Sequence, residues 1–183
     1  MKHFLALSAL LLGACAHTQT VQRAPEVFPL LPPETLGASH STQQVLNVAY
    51  ADQQATLTAV LTVTPQHVQV IGLNAVGMRL FTLDYDGANM KSERLPGLPG
   101  EIEPQRMLAD LELAFWPLRA LQQALQGSTY EVGEPTPGTR RLKRAGKLAA
   151  EVHYADDHPW SGRLWLSNYD FGYSLAVDST PLQ

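Results

Sequence analysis

In ATLTAVLTVT (55–64) apolar and threonine side chains alternate, so that Leu57, Ala59, Leu61 and Val63 share one face of a strand. A strand with this two-residue period buries its apolar face only with neighbours, and the flanking sequence supplies them. VLNVAY (45–50) precedes it, HVQVIGL (67–73) follows Pro65-Gln66, and MRLFTLDYD (78–86) follows a glycine turn. Connections this short join antiparallel neighbours, so this half of the chain reads as a β-meander. Gly87 opens a further turn, and the Pro-Gly punctuation of LPGLPGEIEP (95–104) marks a loop.

After Pro104 the period changes. Met107, Leu108, Leu111, Ala114, Phe115, Leu118, Leu121 and Leu125 recur at spacings of three and four, the signature of an amphipathic helix. Pro104 suits a first helical turn, Pro117 requires a kink or a restart, and Gly127 ends the run. Strand character then returns. Segments near 139–145 and 147–154 pair through Ala145-Gly146, and SGRLWLSN (161–168) with FGYSLAVDS (171–179) forms a C-terminal hairpin. The order is β-meander, central helices, β-meander.

The N-terminus reads differently. Lys2 supplies a positive start, Phe4 to Leu12 an apolar run too short to span a bilayer, and Gly13-Ala14 lead into Cys15, the chain's single cysteine. A lone thiol makes no internal disulfide. Leu12-Gly13-Ala14-Cys15 resembles the lipobox of bacterial lipoprotein precursors, which implies a signal peptide over 1–14 and acylation, palmitate included, at Cys15. Two or more acyl chains anchor a protein stably where one does not. The polar, then proline-rich stretch that follows reads as a tether, so the expected division is an anchored tether over 15–35 and a folded domain over 36–183.

The 183 residues are 45% hydrophobic and 16% charged, with formal charge −4, which gives no electrostatic basis for a nucleic-acid partner. No nucleophile elbow, phosphate-binding glycine loop, dinucleotide fingerprint or HExxH pattern occurs. HYADDHPW offers His153, Asp156, Asp157 and His158 as metal ligands, but Asp-Asp equally favours a plain turn, the preferred reading. His17, His40 and His67 share no ligand spacing. In RRLKRAGK, Arg140, Arg141, Lys143, Arg144 and Lys147 form either an anionic-lipid contact or, preferably, a solvated hairpin face. Phe81, Phe115, Trp116, Trp160, Trp165, Phe171 and Tyr173 read mainly as core, with a lipid-sized cavity as the alternative. Asp110, on an apolar helix face, reads as a buried hydrogen-bond anchor, a helix-surface residue or a polar group in the cavity, the anchor being preferred because a buried charge must find partners.

GMRLFTLDYDG (77–87), MLADLELAFWPLRAL (107–121) and LLPPETLG (30–37) together resemble an uncharacterised bacterial lipoprotein family associated with genes for aryl-polyene and fatty-acid-like products. The block from Leu108-Ala109-Asp110 to Trp116-Pro117 is its most specific part, and Glu112 stands where glutamine is more frequent. That family in turn is similar to the LolA/LolB group. The resemblance implies an α+β, mainly β fold: a curved, incompletely closed antiparallel half-barrel whose concave face is covered by central helices. It also implies a concave face that accepts acyl chains and a protein that receives or passes on lipid at the outer membrane. It implies no catalytic residues. LolB delivers cargo with an exposed apolar loop, for which Leu98 is the nearest candidate here.

The expected function is therefore a non-enzymatic outer-membrane lipoprotein facing the periplasm, since Ala16 rather than Asp follows the cysteine. Leu61, Val63, Phe81, Leu111, Phe115, Trp116, Trp165 and Tyr173 are the expected ligand contacts. The expected partners are the membrane, a hydrophobic lipid-like ligand and a periplasmic carrier or export protein, with neither metal nor cofactor. The alternative is a structural lipoprotein that scaffolds a biosynthetic or export complex.

Overall fold

A computed structural model describes residues 27–95, 103–156 and 158–182. The signal peptide, Cys15, tether residues 15–26 and Leu98 lie outside the described residues. Five strands come first: β1 (His40–Tyr50), β2 (Gln53–Val63), β3 (Val68–Leu73), β4 (Arg79–Tyr85) and β5 (Met90–Arg94). Two helices follow, α1 (Pro104–Phe115) and α2 (Leu118–Ala124). The chain closes with β6 (Tyr130–Thr136), β7 (Thr139–Arg144), β8 (Lys147–Tyr154), β9 (Arg163–Asn168) and β10 (Tyr173–Pro181).

All ten strands form one antiparallel sheet in the order β5-β4-β3-β2-β1-β10-β9-β8-β7-β6. Each half of the chain is a meander, and the halves meet where β1 pairs with β10, Leu46 opposite Val177. β5 and β6 are the edges and do not pair with each other, so the curved sheet is unclosed. The two edge strands were not legible as strands. KSER in β5 is charged and EVGEPT in β6 holds Gly133 and Pro135, which suits edges that must not recruit another chain.

Antiparallel order sorts the hairpin turns between two ends of the sheet. The β1–β2, β3–β4, β7–β8 and β9–β10 turns lie at the end where β1 finishes with Tyr50, and the others at the end where it starts with His40. Alternation places Ala59, Leu61 and Val63 of β2, Val68 and Val70 of β3, Leu83 and Tyr85 of β4 and Leu164 and Leu166 of β9 on one core-bearing face.

α1 lies against that face over β7 to β10, and proline decides how it ends. In an unbroken helix residue 117 would donate to the Leu113 carbonyl, but Pro117 has no N–H. Arg140 of β7 supplies the missing donor: its Nη1 reaches Leu113 O at 2.8 Å and Trp116 O at 2.7 Å. Tyr154 Oη donates to Ala114 O at 2.7 Å. The cation also complements the negative end of the helix dipole. α2 restarts at Leu118 and packs on β6, and Gly127 turns the chain with φ 77°.

The tether is shorter than expected. Phe28, Leu31 and Pro33 are buried, and Phe28 meets Tyr130 edge-on with ring centroids 5.5 Å apart. A 3-10 turn over Pro33–Leu36 follows, and Trp116 Nε1 donates to Thr35 Oγ1 at 2.9 Å. Pro32 and Pro33 also close on Gly87, where a Cβ would lie 3.2 Å from Pro33 Cδ. Residues 27–35 thus belong to the folded domain, because Phe28, Leu31 and Pro33 contribute to its core, whereas the sequence reading placed them in a tether. The prolines that suggested a free linker instead stiffen a strap laid over α1 and the β4–β5 turn.

Candidate functional site

The interior differs between the two ends of the sheet. Toward the His40 end Ala59, Leu61, Val63, Val68, Leu113 and Trp116 are at most 1% exposed. Polar groups are sealed there too: Thr42 and Gln44 are buried, and Gln44 Nε2 donates to Ser179 Oγ at 3.3 Å. His40 stacks on Trp160 at 4.0 Å, and Phe115 leans on the same indole at 4.6 Å. Burial lowers the His40 pKa, which keeps the stacked ring neutral.

Toward the Tyr50 end the same face is only half-covered over β1 to β4 and β10, whereas Leu142, Ala150 and Asn168 of β7 to β9 are buried. Leu46 stands opposite Leu57 and Val48 opposite Leu175, all partly buried, and the partly buried Phe81 stands opposite the buried Gly72. Met107 and Leu111 of α1 share that partial cover. Phe81 lies over Gly72 so closely that a Cβ there would come within 2.1 Å of its ring. A glycine at this position of β3 is what lets the ring lie down on the sheet.

Two carboxyl groups lie beneath α1. Asp110, 8% exposed, accepts from Asn168 Nδ2 at 3.1 Å and from the Tyr173 hydroxyl. Burial lifts its pKa to about 6, against the lowering effect of Tyr173, Asn168 and Arg106. The same carboxyl and burial push the Tyr173 phenol well above its usual range. Asp110 is thus the buried anchor that its place on an apolar helix face suggested. Glu112 is fully buried and accepts the Leu31 N–H, at 3.0 Å to Oε1 and 3.1 Å to Oε2. Desolvation raises its pKa to about 9, so the side chain is a neutral acid at pH 7.

The eight expected ligand contacts do not meet in one cavity. Leu61, Val63, Phe115 and Trp116 are sealed core at the His40 end. Phe81, Leu111 and Tyr173 flank the half-covered end. Trp165, 44% exposed, points to the opposite face, because Leu164 and Leu166 beside it take the core positions. Sequence reasoning missed Leu46, Val48 and Leu175, whose signal was the period of strands it read as shorter or offset. Two surface clefts stand out, and neither contains any of the eight. One of 440 Å³ runs along the strap between Val27, Leu30, Tyr85 and Met90, and one of 370 Å³ lies between α2 and β6 at Gln122, Leu125 and Tyr130.

HYADDHPW does not assemble a metal site from its described residues. His153 meets Thr139 across β7–β8 and Glu151 two residues earlier on β8, while Asp156 accepts the His158 backbone N–H in a turn, and Asp157 lies outside the described residues. No group of three His, Cys, Asp or Glu among the described residues could hold a metal ion. The basic run is divided by strand alternation. Arg140 is buried at the helix end with Glu134 at 2.8 Å, Arg141 pairs with Glu151, and Arg144 pairs with Asp170 at 2.9 Å. The hydrogen bond from Arg141 and the one with His153 hold the Glu151 carboxyl below its usual range. No helix among the described residues is long and apolar enough to cross a membrane.

A family model described as a protein of unknown function, DUF3261, matches residues 41–181. No curated protein matches the sequence. Among solved structures, a LolA superfamily protein from Nitrosomonas europaea is 10% identical, covering 83% of this chain and 90% of its own, with a TM-score of 0.48. A candidate outer membrane lipoprotein-sorting protein domain from Vibrio parahaemolyticus is 10% identical over 77% of this chain and 82% of its own, with a TM-score of 0.35. A DUF1329 family protein from Desulfovibrio piger is 8% identical over 81% and 87%, also at 0.35.

Proposed function

The chain belongs to the DUF3261 family, whose function is unknown, and from the geometry of its interior we propose that it is a non-catalytic carrier for a lipid or other acyl-chain-bearing molecule. On this reading the helices cover the concave face of a half-barrel, Cys15 carries acyl chains that hold the protein to the outer membrane, and the domain works in the periplasm. The cargo class includes aryl-polyene-type products, and a periplasmic carrier or export protein is the partner that supplies or receives it.

The half-covered apolar row at the Tyr50 end carries this proposal. Leu46, Val48, Leu57, Phe81 and Leu175 stand on the face that holds the core, yet remain partly open beside Met107 and Leu111. An acyl chain entering there would be driven by apolar burial at about 25 cal/mol per Å², less the ordering costs of the chain.

The test is native purification of the mature protein from membranes, followed by extraction and mass spectrometry. Stoichiometric lipid, together with loss of fluorescent fatty-acid binding in Leu57→Asp, is the expected result. No recovered lipid and no probe binding would reject the carrier. A second reading, a structural lipoprotein that scaffolds an assembly, is favoured by the tight packing of Leu61, Leu113 and Trp116 at the other end. It predicts co-purifying protein without lipid.

A further inference from the structure

We propose that the Tyr50 end of the sheet docks on an anionic lipid surface through the tips of its four hairpins, independently of the N-terminal anchor. Among the described residues, these tips hold six of the eleven exposed large apolar side chains. Val76, 86% exposed, and Met78 belong to the β3–β4 turn, and Tyr50 ends β1. Tyr169 and Phe171 belong to the β9–β10 turn, and Leu148 follows the β7–β8 turn.

The His40 end is the internal control. Its described turns hold Thr64 to His67, Asp86 to Asn89, Pro137-Gly138 and, between β8 and β9, the partly buried Trp160 stacked on His40, and its exposed large apolar residues are Val27, on the strap beside Tyr85 and Met90, and Leu182 near the chain end. Side chains of one class gathered at one end of an antiparallel sheet are not a requirement of its core, since the tips lie beyond the packed layer.

The spacing indicates the kind of partner. Successive turns at this end are two strands apart in the sheet order, so the four tips span about 30 Å along its arc at about 4.8 Å per strand. Protein hot spots concentrate in a central pocket. An even row of tips with no central cluster instead suits a surface that takes shallow insertion anywhere, as a bilayer interface does. Tyrosine and phenylalanine sit favourably at that depth. Charge agrees: on a chain of formal charge −4, these turns carry Arg79 and Lys147 against Asp52, with Arg144 paired to Asp170. Arg106 lies 4.5 Å over the Phe171 ring, which ties one tip to the start of α1. The half-covered apolar row opens at this same end. Docking would therefore face it toward the membrane, which extends the carrier reading without depending on it.

A chain starting at Ala16 contains no cysteine and keeps every described residue, including the whole core. An environment-sensitive fluorophore is placed on Ala75→Cys in the β3–β4 turn or on Gln66→Cys at the opposite end. The chains are mixed with vesicles of phosphatidylcholine, with or without about 30% phosphatidylglycerol. The expected result is enhanced, blue-shifted emission at position 75 only, stronger with the anionic lipid. Val76→Asp/Met78→Asp should reduce co-sedimentation about ten-fold while Leu182→Asp leaves it unchanged. An unchanged spectrum at position 75, or an equal response at position 66, overturns the proposal. Equal binding to neutral vesicles overturns its anionic part. Fatty-acid probe binding retained by Val76→Asp/Met78→Asp separates this surface from cargo uptake, which stands or falls on its own.

Discussion

The backbone N–H of Leu31 donates to both carboxyl oxygens of Glu112, fastening the N-terminal strap to α1 across 81 residues of sequence. The acid is fully buried and desolvation dominates its titration, so the neutral form is the one that the fold stabilises. A glutamine at this position would keep an acceptor for Leu31 without the proton.

Glu112 should therefore make stability fall with pH. Its pKa is raised from 4.5 to about 9, so between those values the native state holds a proton that the unfolded chain has released. Stability is lost across that window at up to about 1.4 kcal/mol per pH unit, and the loss is complete above pH 9. Thermal unfolding should show the midpoint declining from pH 5 to pH 9, and a much flatter profile in Glu112→Gln. Parallel profiles for the two proteins would show that Glu112 ionises normally.

Arg140 holds the end of α1 that Pro117 leaves open. Arg140→Met should strand the Leu113 and Trp116 carbonyls and cost about 2–4 kcal/mol in urea unfolding. Arg140→Lys should recover only part, because one ammonium does not span both carbonyls and Glu134. Wild-type stability in Arg140→Met would remove this side chain from the account of the helix end.

The alternation of ATLTAVLTVT and the spacing from Met107 to Leu125 specified the meander and the helix pair, and Pro117 marked the break. What could not be read is what depends on long-range order. β5 and β6 lack an apolar face because they are edges, and only the sheet order reveals them as such. Arg140 is indistinguishable in the string RRLKR from Arg141, yet one residue of register sends it inward to the helix and its neighbour outward to Glu151. Likewise Trp165 and Phe81 are equal as letters, and strand parity alone separates the outer face from the half-covered row. Leu31 and Phe28 looked like linker because their partners, Glu112 and Tyr130, lie far along the chain.

Gly72 tests how closely the half-covered end is packed. A methyl group there would occupy the space of the Phe81 ring, so Gly72→Ala should destabilise by about 1–3 kcal/mol. Adding Phe81→Leu should restore most of that loss. Equal stability of Gly72→Ala and the parent in chemical denaturation would show that the ring moves aside freely.

The lipobox reading makes its own demand. With Cys15→Ser the chain should accumulate as an uncut precursor that takes up no labelled palmitate in growing cells. Label retained by that variant would end the assignment, and with it the anchored part of the proposed function.

Tyr173 lends Asp110 a hydroxyl hydrogen bond that opposes the effect of burial, so its removal should raise the Asp110 pKa further above about 6. The sign then follows from the proton count. Asp110 already lowers stability as pH rises from 3.8 to about 6, because the native state holds the proton over that interval. In Tyr173→Phe the interval should extend upward, making the variant's deficit larger at pH 7 than at pH 4. Urea unfolding at the two pH values should give a difference of about 1–3 kcal/mol, the cost of an unmet buried charge-assisted bond. Asp110→Asn added to Tyr173→Phe should abolish the pH dependence of that deficit, since no titrating group is left at the position. A deficit equal at both pH values would mean that Tyr173 supports the fold by packing alone.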